Sequence, residues 1–453
     1  MKKMFKKAII FVLLIAMASL IISCGNGTSS DKPETSDEAV QENNKTDKDK
    51  NLENQEVSVD TVKIGILLPF TGTNARIGEL QYNGMEFAIN NFNENGGVKS
   101  LNGAQIEIVT SDTTGAPEVG VTELEKLVTA ENVSALLGPY NSSVGSSTAP
   151  IAEKYQTPYI LSNCTADEIL QDEYKYVYRA NHSNSFDGID LISFLLELRD
   201  TQDANFSKFA IVYENTDWGM GMKDVLDKYI PEDYGGEVVL SEGYQANTSD
   251  FSSIINNIKA SEAEIVIPVS YLNDALLFTQ QMAEYQADAL IFASSGGFTV
   301  PDYATKVGPS GNQVITIASW DQSVLPYLSD QATELTNKYK EIYNEDFDGY
   351  AANGYLAAAV MLNAIERAAS IDPDEINEAL EKTDIKPGDP ELVFHPYSGV
   401  YFQDEVRGMH HQNSGARGII LQVQDNEFKL IGPQDIVGED TDLIWPVTPY
   451  SER

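Results

Sequence analysis

Cysteine is nearly absent from this chain of 453 residues: there are two, Cys24 and Cys164. If Cys24 is used elsewhere, Cys164 has no partner, so no internal disulfide is available and stability must come from packing. Basic residues are scarce as well, with 30 Lys and Arg against 69 Asp and Glu and a formal net charge of −39. No basic stripe exists to release counterions from a phosphate backbone, which argues against nucleic acid. The charge reads instead as solubility. Histidine is limited to His182, His395, His410 and His411. Neighbouring side chains on an extended segment point to opposite faces, and the pair His410–His411 has no Cys or carboxylate at ligand spacing, so no metal is expected. No cofactor motif is visible either. The loop-like stretch LLGPYNSSVGSSTAP at 136–150 lacks both the G-x-S-x-G of a serine-hydrolase elbow and the Lys of a phosphate loop.

Long apolar runs reduce to one. Residues 8–22 follow four lysines and stop at Ser23-Cys24-Gly25, which is too short for a spanning helix of about 20 apolar residues and has the layout of an export signal over 1–23. The ending IISC resembles a bacterial lipobox, which would acylate Cys24 and tether the chain to a membrane surface. Residues 24–58 are almost wholly polar and acidic and cannot bury enough surface to fold, so they read as a solvated linker.

What remains is rich in regular patterning. VKIGILLPF, AQIEIVTSD, VSALLG and TPYILS read as strands, separated by helical spacing such as Met85, Ala88, Ile89 and Phe92. Strands that alternate with helices indicate right-handed crossovers and a mostly parallel sheet. The alternation restarts with YKYVYRA, KFAIVYE, GEVVLSEGY, AEIVIPVSY and ALIFASS. One sheet would not comfortably hold so many strands, so a second α/β lobe is expected from about Asn181. The expected division is 59–180 and 317–392 for one lobe, and 181–316 and 393–453 for the other. The alanine-rich helix around NGYLAAAVMLNAIERAA should pack closely on a sheet. RGIILQVQDNEFKLIG should be a hairpin turning at Asp425-Asn426.

The strings VKIGILLPFTGTNARIGELQYNGMEFAINNFNENGG, LLGPYNSSVGSSTAPIAEKYQTPYILSNCT, YRANHSNSFDG and FAIVYENTDWGMGM, in this order, resemble the leucine/isoleucine/valine-binding family of bacterial solute receptors. The resemblance covers essentially everything after the linker. It implies two doubly wound α/β lobes joined by a three-crossover hinge, closing like a flytrap on a small ligand. It also implies an ABC permease as partner and no enzymatic activity.

Residue by residue, the resemblance implies that Ser142 and Thr165 hold a ligand carboxylate, with a backbone contact at Asn163. Elementary chemistry agrees, since both hydroxyls lie in loops between a strand and a helix, where free N–H groups and the helix dipole favour anions. The competing reading is plain helix capping. Trp218 and Tyr271 fall where aromatics close over the ligand, and Tyr140 and Ile77 are weaker candidates on the same grounds. The positions that carry acidic residues against an amino acid's ammonium group fall on Asn184 and Gly296, neither of which is acidic. Another group must supply that charge, or the ligand is not an ordinary α-amino acid. Asp187, Asp217 and Asp321 lie in plausible loops, whereas Arg76 reads as a rim residue. The expected function is a lipid-anchored extracytoplasmic receptor. The alternatives are a co-receptor handing ligand to a membrane sensor and, behind it, a serine hydrolase built on Ser142.

Overall fold

The computed structural model describes residues 60–452 apart from 404, 439 and 440. The expected export signal, Cys24 and the linker lie outside the described residues. The first strand, β1 (Thr61–Leu68), begins with one exposed residue and ends in five buried ones, the pattern of a strand covered on both faces. It is followed by α1 (Ala75–Glu94), β2 (Gln105–Asp112), α2 (Pro117–Thr129), β3 (Ala135–Gly138), α3 (Ser142–Lys154), β4 (Tyr159–Leu161) and β5 (Val177–Arg179). These strands pair in parallel in the order β2-β1-β3-β4-β5.

A second series then repeats the plan. It runs α4 (Asn184–Gln202), β6 (Lys208–Glu214), α5 (Asp217–Tyr229), β7 (Glu237–Tyr244), α6 (Ser252–Ser261), β8 (Ile265–Val269), α7 (Leu272–Glu284), β9 (Leu290–Ala293), α8 (Pro301–Lys306) and β10 (Ile315–Ala318). Its strands pair in parallel as β7-β6-β8-β9-β10, the same order as the first sheet. Each sheet therefore reverses strand order once, between β1 and β3 and between β6 and β8. Loops leaving the carboxyl ends there diverge and leave a crevice.

The chain returns to the first lobe with α9 (Asp330–Tyr343), α10 (Gly349–Ala368), α11 (Pro373–Glu381) and the short antiparallel pair β11 (Asp384–Ile385) and β12 (Val400–Tyr401). The hairpin of β13 (Ile419–Gln424) and β14 (Glu427–Gly432) then joins the second sheet antiparallel to β10. Its turn is Asp425-Asn426, both at positive φ (52° and 67°), as a tight two-residue hairpin requires. The alanines of α10 serve a helix crossing more than a sheet contact. A Cβ on Gly84 of α1 would stand 2.0 Å from the Ala351 carbonyl oxygen, so α1 and α10 approach backbone to backbone.

The crossing points differ from the expected divisions at 316 and 392. The strand β10 runs to Ala318, which pairs with Ile419 of β13 within the second sheet. Residues after 392 stay with the first lobe: Phe394 packs on Tyr355, Phe347 and Trp320. Further on, the Arg179 N–H donates to the His411 carbonyl (3.0 Å) and the Asn413 N–H to the Arg179 carbonyl (2.9 Å), extending the first sheet beyond β5. The third crossing therefore lies between Asn413 and Ile419. This stretch carries neither helical nor strand periodicity, which is why hydrophobic pattern does not mark it.

Candidate functional site

The strand β3 ends at Gly138, held at φ +115° because a Cβ would stand 2.1 Å from the Leu67 carbonyl oxygen of β1. The chain turns through Pro139, Tyr140 and Asn141 into α3, whose first residue is Ser142. The next strand, β4, ends in a loop carrying Asn163, Cys164 and Thr165. The buried Cys164 thiol ties the two loops, donating to the Pro139 carbonyl (3.3 Å) and the Asn141 carbonyl (3.2 Å). Burial pushes this thiol far above its ordinary range, so it acts as a donor and not as a thiolate. Neither candidate hydroxyl caps a helix: α3 has no side-chain cap, and neither does the short turn after Thr165. Ser142 Oγ instead accepts the Ala166 N–H at 3.3 Å, which leaves its own proton to donate.

Across the crevice stand the carboxyl ends of the second sheet. The loop after β6 leads to Trp218, that after β8 to Tyr271, and that after β9 to Ser295 and Gly296. The rings of Trp218 and Tyr271 lie 5.0 Å apart, and Tyr271 meets Tyr140 of the first lobe at 5.8 Å. Gly296 adopts φ +61°, and a Cβ there would stand 2.3 Å from the Trp218 ring. Its carbonyl accepts the Tyr350 hydroxyl at 2.7 Å, bridging the lobes. Tyr140, Tyr350, Ile77, Leu80 and Val300 form one small apolar cluster beside this contact.

These loops converge on a cavity between the lobes, and the Tyr140–Tyr271 ring contact and the Tyr350–Gly296 hydrogen bond across it show that the lobes stand closed on one another. Of the candidate residues, Tyr140, Ser142, Asn163, Thr165, Trp218, Tyr271 and Gly296 all line it. Asn184 does not. It is fully buried at the start of α4, and its side-chain amide donates to the Trp218 carbonyl at 3.2 Å, behind the lining. Ile77 stays within the apolar cluster and Arg76 pairs with Glu79 and Glu345. Asp321 holds the Ser323 N–H of its own turn. Neither Arg76 nor Asp217 nor Asp321 reaches the lining.

Several lining residues escaped the sequence reading. His182 follows β5, Ser319 and Trp320 follow β10, and Tyr350 and Asn353 open α10. Trp320 is nearly inaccessible, and its indole N–H has no protein partner. Asn353 donates to Asn163 Oδ1 at 2.5 Å and meets His395 Nε2 at 3.1 Å through its own Oδ1. Burial lowers the His395 pKa to about 3, so this imidazole is neutral and fixes the amides. His182 Nδ1 stands 2.6 Å from Asp187 Oδ1, and Asp187 Oδ2 accepts the Ser295 hydroxyl at 2.9 Å. A histidine–aspartate pair therefore does reach the cavity. Among the described residues neither Ser142 nor Ser295 is bonded to that imidazole: Ser142 Oγ accepts the Ala166 N–H and the Ser295 hydroxyl donates to Asp187. A strand-end rule applied to every parallel strand would have flagged His182, Trp320 and Ser295. The other two histidines are accounted for locally. The His411 ring stacks on Tyr178 at 4.2 Å, and among the described residues no cluster could hold a metal ion.

Comparison with known proteins gives a consistent result. A family model described as periplasmic binding protein matches residues 61–412. Leu/Ile/Val-binding protein homolog 7 of Brucella abortus (strain 2308) is 27% identical over 379 residues, covering 82% of this chain and 91% of that protein. Among solved structures, the branched-chain amino acid substrate-binding protein LivJ of Streptococcus pneumoniae, in complex with isoleucine, gives a TM-score of 0.69 at 21% identity, over 82% of this chain and 100% of that one. A solute-binding protein of an R. palustris ABC transporter, in complex with benzoate, gives 0.68 at 20% identity, over 82% of this chain and 96% of that one.

Proposed function

The chain belongs to the periplasmic binding protein family, a family of solute receptors and not of enzymes, and from that premise we propose that it delivers a small carboxylate-bearing solute to an ABC permease. The observation that carries this reading is the cavity at the carboxyl ends of both sheets, with hydroxyl donors from one lobe and aromatic rings from the other. The start of α3 offers unpaired N–H groups and the positive end of a dipole, and the Ser142 and Thr165 hydroxyls stand beside it. The indole N–H of Trp320 is a further donor. Similar proteins bind isoleucine and benzoate, two ligands that share a carboxylate beside an apolar body.

Binding would start on one lobe, and contacts with the second would favour closure. Such a receptor acts outside the cytoplasm, tethered through acylated Cys24 at the end of its export signal, with the polar linker giving reach. The permease reads the closed pair of lobes. A co-receptor handing the same ligand to a membrane sensor would use the same site and differ only in partner.

Calorimetry on the full chain with a panel of amino acids, small carboxylates and amides should show binding to at least one. Ser142→Ala combined with Thr165→Ala should weaken that binding at least about tenfold, the worth of one or two charge-assisted hydrogen bonds. Unchanged affinity would remove both residues from the site. Ester turnover abolished by Ser142→Ala would favour the hydrolase.

A further inference from the structure

The strand β6 ends on Glu214, a carboxylate with no access to water at the foot of the loop that carries Trp218. Its Oε1 accepts the Thr216 hydroxyl and, at 3.0 Å, the N–H of Gly219, the residue after Trp218; Oε2 has no partner. Among the described residues no Lys, Arg or His neutralises it. The titratable groups around it are the carboxyls of Asp274 on α7 and Asp217 on α5, and the hydroxyls of Tyr244 and Tyr271. From this carboxylate a line of contacts crosses the crevice. The Tyr271 hydroxyl neighbours Thr216 and accepts the side-chain amide of Asn141, in the first lobe, at 3.5 Å. Its ring meets Trp218 at 5.0 Å and Tyr140 of the first lobe at 5.8 Å. Burial first, and then the Glu214 charge, hold the Tyr271 hydroxyl protonated, and the same charge adds to the burial that holds Tyr140. When the lobes part, Tyr140 and Asn141 leave Tyr271 and water gains the end of β6. Closure therefore strips water from a carboxyl group that has no counterion.

We propose that Glu214 is a proton-operated gate on the crevice: protonated, it permits the lobes to close, and ionised, it opposes closure. In the closed form burial raises its pKa to about 7. A form in which water reaches the group holds the proton less tightly, so closing takes up a proton. Closure and ligand affinity are then favoured in acidic surroundings and weaken as pH rises through about 7. Burial raises Asp348 to about 7 as well, but its carboxylate accepts the Tyr350 and Ala351 N–H groups of its own helix at 2.8 Å, bonds that opening leaves in place. The gate regulates the cavity assigned above and rests on that reading for the ligand it serves.

The test is small-angle scattering of the unliganded full chain at pH 5.5 and pH 8, with calorimetry on the same samples using benzoate and L-isoleucine as probes. In the wild type the open-to-closed ratio should be at least about fivefold higher at pH 8, read as a larger radius of gyration. That is the linkage expected when closure raises the proton affinity of the carboxyl about tenfold. Glu214→Gln should keep the compact radius at both pH values, and a probe that binds it should do so with one affinity at both. Glu214→Met takes its place if circular dichroism shows that the Gln variant does not fold. A wild-type radius independent of pH overturns the gate. A pH dependence that persists undiminished in the folded variant places it on another group, His182 in the cavity wall included, and overturns the gate as well. Binding of neither probe, with no binding across the wider panel, overturns the receptor reading and leaves the radius to decide the gate.

Discussion

At the end of β6, Glu214 is a carboxylate without access to water. Its Oε1 takes the Thr216 hydroxyl and the Gly219 N–H, while Oε2 has no partner. Burial outweighs those bonds and pushes its pKa from 4.5 up to about 7. The folded state therefore keeps this proton after the unfolded chain has lost it. The stability it contributes is complete below about pH 4.5 and is lost as pH rises toward 7. Glu214→Gln keeps the shape and removes the charge. Thermal melts should show the variant more stable than the wild type at pH 8, by on the order of 2 kcal/mol, with the advantage gone at pH 4. An equal difference at both values would mean that the carboxyl does not titrate as burial dictates. Single residues also mark where sequence reading stops. Ser142 and Trp218 are legible because each follows a strong strand within a few residues. Asp187 is not, because its meaning depends on Ser295, 108 positions later, donating to it.

Among the elements, the crossing of α1 and α10 sets the geometry of the first lobe. Gly84 and Gly354 let the two backbones meet, and a Cβ on Gly354 would stand 2.3 Å from the Gln81 carbonyl oxygen. Backbone atoms cannot yield as a flexible side chain can, so Gly84→Leu forces the helices apart. Overpacking of this kind costs about 1–3 kcal/mol or more, and calorimetry should record a lower Tm. Because α10 carries Tyr350 and Asn353 into the cavity, the same variant should also weaken ligand binding. A variant with normal Tm and affinity would show that the crossing is looser than these distances imply. At this scale the pattern of residues says much: strands, helices and the Asp425-Asn426 hairpin follow from apolar periodicity and turn chemistry. It does not say which helix meets which, since the alanines of α10 suit a sheet and a second helix equally well.

For the molecule as a whole, closure is the property that matters. The Tyr350 hydroxyl of one lobe donates to the Gly296 carbonyl of the other, a bond that exists only when the crevice is shut. Tyr350→Phe removes about 1 kcal/mol from the closed form. It should shift the unliganded population toward the open form about fivefold, which small-angle scattering can read as a larger radius of gyration. Ligand affinity should fall by a similar factor. A scattering curve and affinity identical to the wild type would mean that this bond does not hold the lobes together.

Two lobes of alternating strands and helices are written into local pattern, because burial on both faces of a parallel strand and on one face of a helix leaves a periodic mark that needs no distant partner. The loops that bring Ser142 and Thr165 to the cavity are legible for the same reason, as strand ends with small hydroxyl residues. The crossing near residues 413–419, the donor from Trp320, the His395–Asn353–Asn163 amide chain and the carboxylate behind His182 leave no such mark. Each depends on groups from separate passages of the chain meeting at one crevice. Their distances, burial and proton positions come into existence only when the two sheets face one another.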